Sequence, residues 1–91
     1  MAETPSPPLD RDSLSPIDMQ VLRILLESSG RVIGREFIAR QTGIESSASR
    51  RVDASLVAIR RAIGADSIVT VRSRGWMLTT AGEASARSLL S

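Results

Sequence analysis

The 91-residue chain contains no cysteine, histidine, lysine or tyrosine. Without cysteine there is no disulfide and no thiolate nucleophile, so packing alone must hold the fold. Without histidine as well, an imidazole base and a structural zinc site of the usual ligand types are excluded. Carboxylates, hydroxyls and arginines are the remaining chemical groups. They form no paired-carboxylate or nucleophile motif, so no catalytic residue, metal or cofactor is expected. Aromatics are almost absent: Phe37 and Trp76 stand alone, and each is expected to anchor a small core. Long apolar runs are missing too. The stretch from Val21 to Leu26 is broken by Arg23 and is far too short to span a bilayer. The N-terminus carries Glu3, Asp10, Asp12 and several prolines, unlike a signal peptide. The expectation is a soluble cytoplasmic protein with no membrane partner.

What is present is arginine. Twelve arginines face ten carboxylates, giving a formal net charge of +2. The pI of about 11 reflects the lack of groups titrating in between rather than a strongly basic surface. Distribution says more than the total. Residues 1–45 hold five arginines against seven acids, whereas residues 46–91 hold seven against three. Six of the latter, Arg50, Arg51, Arg60, Arg61, Arg72 and Arg74, fall within 25 positions, which suggests an anionic partner.

Hydrophobic residues make up 42% of the chain, enough for one small self-folding domain. Residues 1–13 are rich in proline, serine and acids and read as a flexible N-terminal segment. Ser15, Pro16 and Asp18 form a helix start of the capping-box type. The helix should run to about Ser28, with Val21, Leu22, Leu25 and Leu26 on one stripe. A shorter helix follows over Arg35 to Gln41, with Phe37 and Ile38 inward and Gly43 as its stop. The third helix is expected over Ser47 to Ile63. Val52, Leu56, Ile59 and Ile63 recur at i, i+4, i+7 and i+11, a single core stripe. The opposite side carries Ser47, Arg50, Arg51, Ala54, Val57, Ala58 and Arg61, arginines separated by small or short side chains. Asp53 and Arg60 lie on the flank, and Asp53 is expected to pair with a nearby arginine. Beyond Gly64 the period shortens to two. Ser67 to Arg72 and Trp76 to Thr79 read as a β-hairpin around Ser73-Arg74-Gly75, with Arg72 and Arg74 at the tip. Thr80 as N-cap and Glu83 at N3 then suggest a last helix ending in Leu89 and Leu90.

The fold class is therefore mainly α with a small hairpin: a winged helix-turn-helix over residues 14–79 and a helical extension over 80–91. In that order of elements the third helix enters the DNA major groove and the hairpin wing reaches the backbone or minor groove. The expected DNA-contacting residues are Ser47, Arg50, Arg51, Ala54, Ser55, Val57, Ala58, Arg60 and Arg61 on the helix, and Thr70, Arg72 and Arg74 on the wing.

Three stretches resemble one family. Leu14-Ser15-Pro16 through Leu22, Leu25 and Leu26, with Gly30-Arg31-Val32-Ile33 and Arg35-Glu36, is similar to the start of the OmpR/PhoB-type winged-helix effector domain of bacterial response regulators. Arg51-Val52-Asp53-Ala54 through Ile59-Arg60-Arg61-Ala62-Ile63-Gly64 resembles its third helix. Val69-Thr70-Val71-Arg72-Ser73-Arg74-Gly75-Trp76-Met77-Leu78 resembles its wing. The resemblance implies a standalone effector domain in these residues, without a receiver domain, acting as a small bacterial transcription regulator on double-stranded DNA. Ala58 stands where the family often has a base-reading arginine, so a different target sequence is implied. The loop between the second and third helices, which in the family can touch RNA polymerase, is nearly absent. A half-site reader of this size implies a homodimer, with the C-terminal helix and its Leu89 and Leu90 as the candidate interface, or another partner. The alternative is a winged-helix protein-interaction module, a co-regulator or antagonist docking on RNA polymerase or another regulator.

Overall fold

A computed structural model describes residues 14–44 and 49–90; the N-terminal segment 1–13 and Ser47 lie outside them. The capping box forms as expected. The Ser15 hydroxyl accepts from the Asp18 amide at 3.1 Å, and the Ser15 amide donates to Asp18 Oδ2 at 3.0 Å. Helix α1 then runs Pro16–Glu27 and buries Val21, Leu22 and Leu25. Helix α2, Arg35–Thr42, ends at Gly43, whose φ of 80° lies in the left-handed region that glycine adopts without strain. Its inward residues are Ile38 and Ala39. Phe37, expected inward, is 40% exposed. At about 100° per residue it sits nearly opposite Ala39, and a helix of two turns cannot bury both.

Helix α3 covers Ser49–Ile63. Val52, Leu56 and Ile59 are buried, as the stripe predicts, and Ala62 joins them. A 3-10 turn, Ala65–Ser67, leads into β1, Ile68–Val71, which pairs antiparallel with β2, Gly75–Leu78. The register sets Ile68 against Leu78 and Thr70 against Trp76. Residues alternate between faces along a strand, so these four share one face, and Ile68, Trp76 and Leu78 are buried there.

A single residue pair widens the hairpin. Ile33 exchanges two 2.9 Å backbone hydrogen bonds with Trp76, fastening the chain just before α2 to β2. This close approach needs Gly75. Its φ is 143°, and a Cβ there would come within 2.0 Å of the Ile33 carbonyl oxygen.

Helix α4 spans Thr80–Leu90. Its cap is one residue earlier than expected. Thr79 Oγ1, not Thr80, accepts from the Gly82 amide at 3.0 Å while donating to the Asp66 carbonyl at 2.9 Å. That second bond anchors the cap to the 3-10 turn, a tertiary demand that the local pattern does not encode. Ala86 and Leu89 of α4 are buried in the same core as α1 and α3. Leu89, 4% exposed, is therefore unavailable as an intermolecular contact, which corrects the interface assigned to it; Leu90 packs partly against that core.

Candidate nucleic-acid interface

The solvent side of α3 is a row one helical repeat apart. Arg50, Ala54, Val57 and Arg61 are all exposed and lie within about 60° of one another on the helix wheel. Arg51 is also exposed, to one side of the row. Arg50, Arg51 and Arg61 make no ion pair or hydrogen bond with any described residue. Val57, at 48% exposure, places an apolar surface between the arginines. Ala58 is half-buried and leans on the core, at the edge of this face.

Two of the expected groove residues are placed differently. Ser55 does not line the groove: it is 2% exposed, and its hydroxyl donates to Asp18 Oδ1 at 2.6 Å. Asp18 thus serves two elements, closing the α1 cap with one oxygen and holding α3 with the other. Ser55 lies only about 60° from Val52 on the helix, inside the buried arc, so its position argued for burial although its polarity suggested solvent. Arg60 is half-buried, and its guanidinium donates to the Ile68 carbonyl at 3.1 Å and to Thr70 Oγ1 at 2.8 Å. The expected flank position of Arg60 is thus correct, but both it and Thr70 have partners inside the chain.

The other flank residue, Asp53, accepts from Arg35 at 2.8 Å, the intrachain pairing expected of it. Sequence patterning missed Arg35, at the start of α2. Its guanidinium also lies 5.2 Å from the centre of the Trp76 ring, within cation–π range. Trp76 is 8% exposed and belongs to the core cluster, one pair in from the turn of the hairpin, as a lone core aromatic should.

At the far end of the hairpin, Arg72, Ser73 and Arg74 form the turn and are exposed. Ser73 has φ 65°, and the Arg74 amide donates to the Val71 carbonyl at 2.9 Å. A shallow concavity of about 260 Å³ separates this turn from the start of α2, bordered by Arg35, Thr70, Ser73, Arg74 and Trp76. No cluster of three or more metal-ligating side chains occurs among the described residues.

Helix pair, exposed arginine-bearing third helix and short basic wing match one known architecture. The family model for transcriptional regulatory protein, C terminal, covers residues 11–78. The chain belongs to this family. Comparison with curated proteins and with solved structures gives no match. Membership in this OmpR/PhoB-type family implies DNA-binding transcription regulation by a winged helix, and the family is typically non-enzymatic. No receiver domain is evident in the 91 residues. No helix among those described is long and apolar enough to cross a membrane.

Proposed function

We propose that the chain binds duplex DNA sequence-specifically, with α3 in the major groove and the hairpin on the adjacent backbone or minor groove. The observation that carries this reading is the row Arg50, Ala54, Val57 and Arg61. It combines exposed arginines that have no partner among the described residues with small or apolar side chains that permit close approach. Arginine's planar fork suits phosphate oxygens and the O6/N7 edge of guanine. Ala54 and Val57 offer apolar contact to the C5 methyl of thymine. Arg51 reaches one side of the groove, and Arg72 and Arg74 present charge from the wing tip. Half-buried Ala58, in place of a long side chain, leaves its part of the groove without direct readout.

One such unit reads a half-site, so specific control calls for two copies or a second protein on the DNA. A contact between copies through α4 would have to use its outer face, since Leu89 belongs to the chain's own core.

The test is fluorescence anisotropy with a random duplex at low salt, for the wild type and for Arg50→Ala/Arg51→Ala. Binding that weakens in the variant and falls steeply with salt supports the reading. No binding by the wild type, or equal binding by both proteins, rejects it in favour of a protein-docking module.

A further inference from the structure

We infer that Arg60 is a positioning residue that locks the wing to the reading helix and does not itself touch DNA. The inference rests on the DNA-binding reading above.

Arg60 and its neighbour Arg61 differ completely in surroundings. Arg61 is exposed on the outward row, whereas Arg60 is half-buried and turned to the wing. One terminal nitrogen of Arg60 meets two acceptors on the same strand, the Ile68 carbonyl and Thr70 Oγ1. A guanidinium NH2 has two hydrogens in a fixed plane and can satisfy both.

These bonds close a ring. Thr70 is the cross-strand partner of Trp76. Arg35 lies over the Trp76 ring and is ion-paired with Asp53. Asp53 is seven residues before Arg60, which puts both on one flank of α3. The path therefore runs from α3 through Asp53 to Arg35 of α2, to Trp76 of β2, to Thr70 of β1, and back to α3 through Arg60. Two arginines thus fasten the two members of one cross-strand pair to the helices behind them. Swinging Arg60 to a phosphate would break both of its bonds and open the ring at the point where the wing joins the helix. Held in place, it fixes the distance between the α3 row and Arg72 and Arg74, and so the spacing of contacts on the duplex.

The experiment uses the full chain and a duplex site selected from a random pool. Specific affinity and its salt dependence are measured for Arg60→Gln, Thr70→Val, their double variant and Arg61→Gln. Urea unfolding with an unchanged slope establishes that each variant folds. The expected result is that Arg60→Gln and Thr70→Val each weaken specific binding roughly tenfold, as loss of a charge-assisted bond implies. The double variant should be no weaker than the poorer single one. The slope of log K against log salt should be unchanged in all three, whereas Arg61→Gln should reduce it by about 0.9, one phosphate contact. A slope reduced by that amount in Arg60→Gln, additive effects of the two substitutions, or wild-type binding by Thr70→Val overturns the inference. If the wild type binds no duplex, the DNA reading itself fails. Amide exchange then decides the position of the wing: faster exchange across Val69–Val71 in Arg60→Gln supports the lock, and unchanged exchange overturns it.

Discussion

The outward face of α3 and its wing-side flank hold the same kind of residue under opposite conditions. On the face, Arg50 and Arg61 are exposed and meet no described partner. On the flank, two turns of helix hold Asp53 and Arg60, each bonded to a side chain from another element. Charge alone does not separate the two groups, since both contain arginine. Helical phase does: a rotation of about 100° from one residue to the next moves the guanidinium from solvent to a carbonyl and a hydroxyl. A basic helix is therefore not one uniform basic surface, and its arginines divide into those that can meet a ligand and those that hold the scaffold.

The largest expected effect comes from emptying the face. Arg50→Ala together with Arg61→Ala should weaken duplex binding by about 100-fold or more, at roughly 1–3 kcal/mol for each arginine contact. Titration at several salt concentrations should show a shallower salt slope, while the thermal midpoint stays near the wild-type value. A lowered thermal midpoint with retained affinity would reverse the assignment of face and flank.

Beneath the face, Ser55→Ala tests burial. It removes a donor from the Asp18 carboxylate, so urea unfolding should register a loss of about 1–2 kcal/mol. The salt slope of binding should not move. A binding defect without loss of stability would return Ser55 to the groove.

Val57 sharpens the face in finer steps. If Val57 meets a thymine as proposed, replacing that base by deoxyuridine removes one methyl group, worth about 0.8 kcal/mol, or roughly fourfold in affinity. Competition assays should detect that loss in the wild type and not in Val57→Ala.

The smallest effect belongs to the exposed ion pair on the flank. The Arg35–Asp53 pair is about half exposed on both sides, so Asp53→Asn should cost no more than about 1 kcal/mol in chemical denaturation. A larger loss would mean that the pair acts as a cooperative unit with Trp76 rather than as a surface bridge.

Most of the fold was legible because its signals are local. Ser15, Pro16 and Asp18 announce a helix within four residues. Val52, Leu56 and Ile59 repeat at the helical period, and the change to alternation after Gly64 marks the wing. The features that escaped depend on distant partners. Ser55 falls in the buried arc by helical phase, but its polarity points to solvent until Asp18, 37 positions away, supplies its acceptor. Thr80, with Glu83 at N3, is the better N-cap in sequence, and the carbonyls of Asp66 and Ser67 select Thr79 instead. Phe37 could be expected inside by hydrophobicity, but α2 is too short to turn it there. The arginine row could be read from spacing; the inward turn of Arg60 could not, because its acceptors belong to a strand whose docking no periodicity encodes.

Gly75 has a mechanical consequence. Because it has no side chain, Ile33 can grip β2 at Trp76, one residue in from the last paired position of the hairpin, and only Arg72, Ser73 and Arg74 lie beyond that position. The wing is a stiff peg with a very short free end. On the proposed reading, accommodation to a duplex of uneven width falls to the rotamers of Arg72 and Arg74 and not to bending of the strands that carry them.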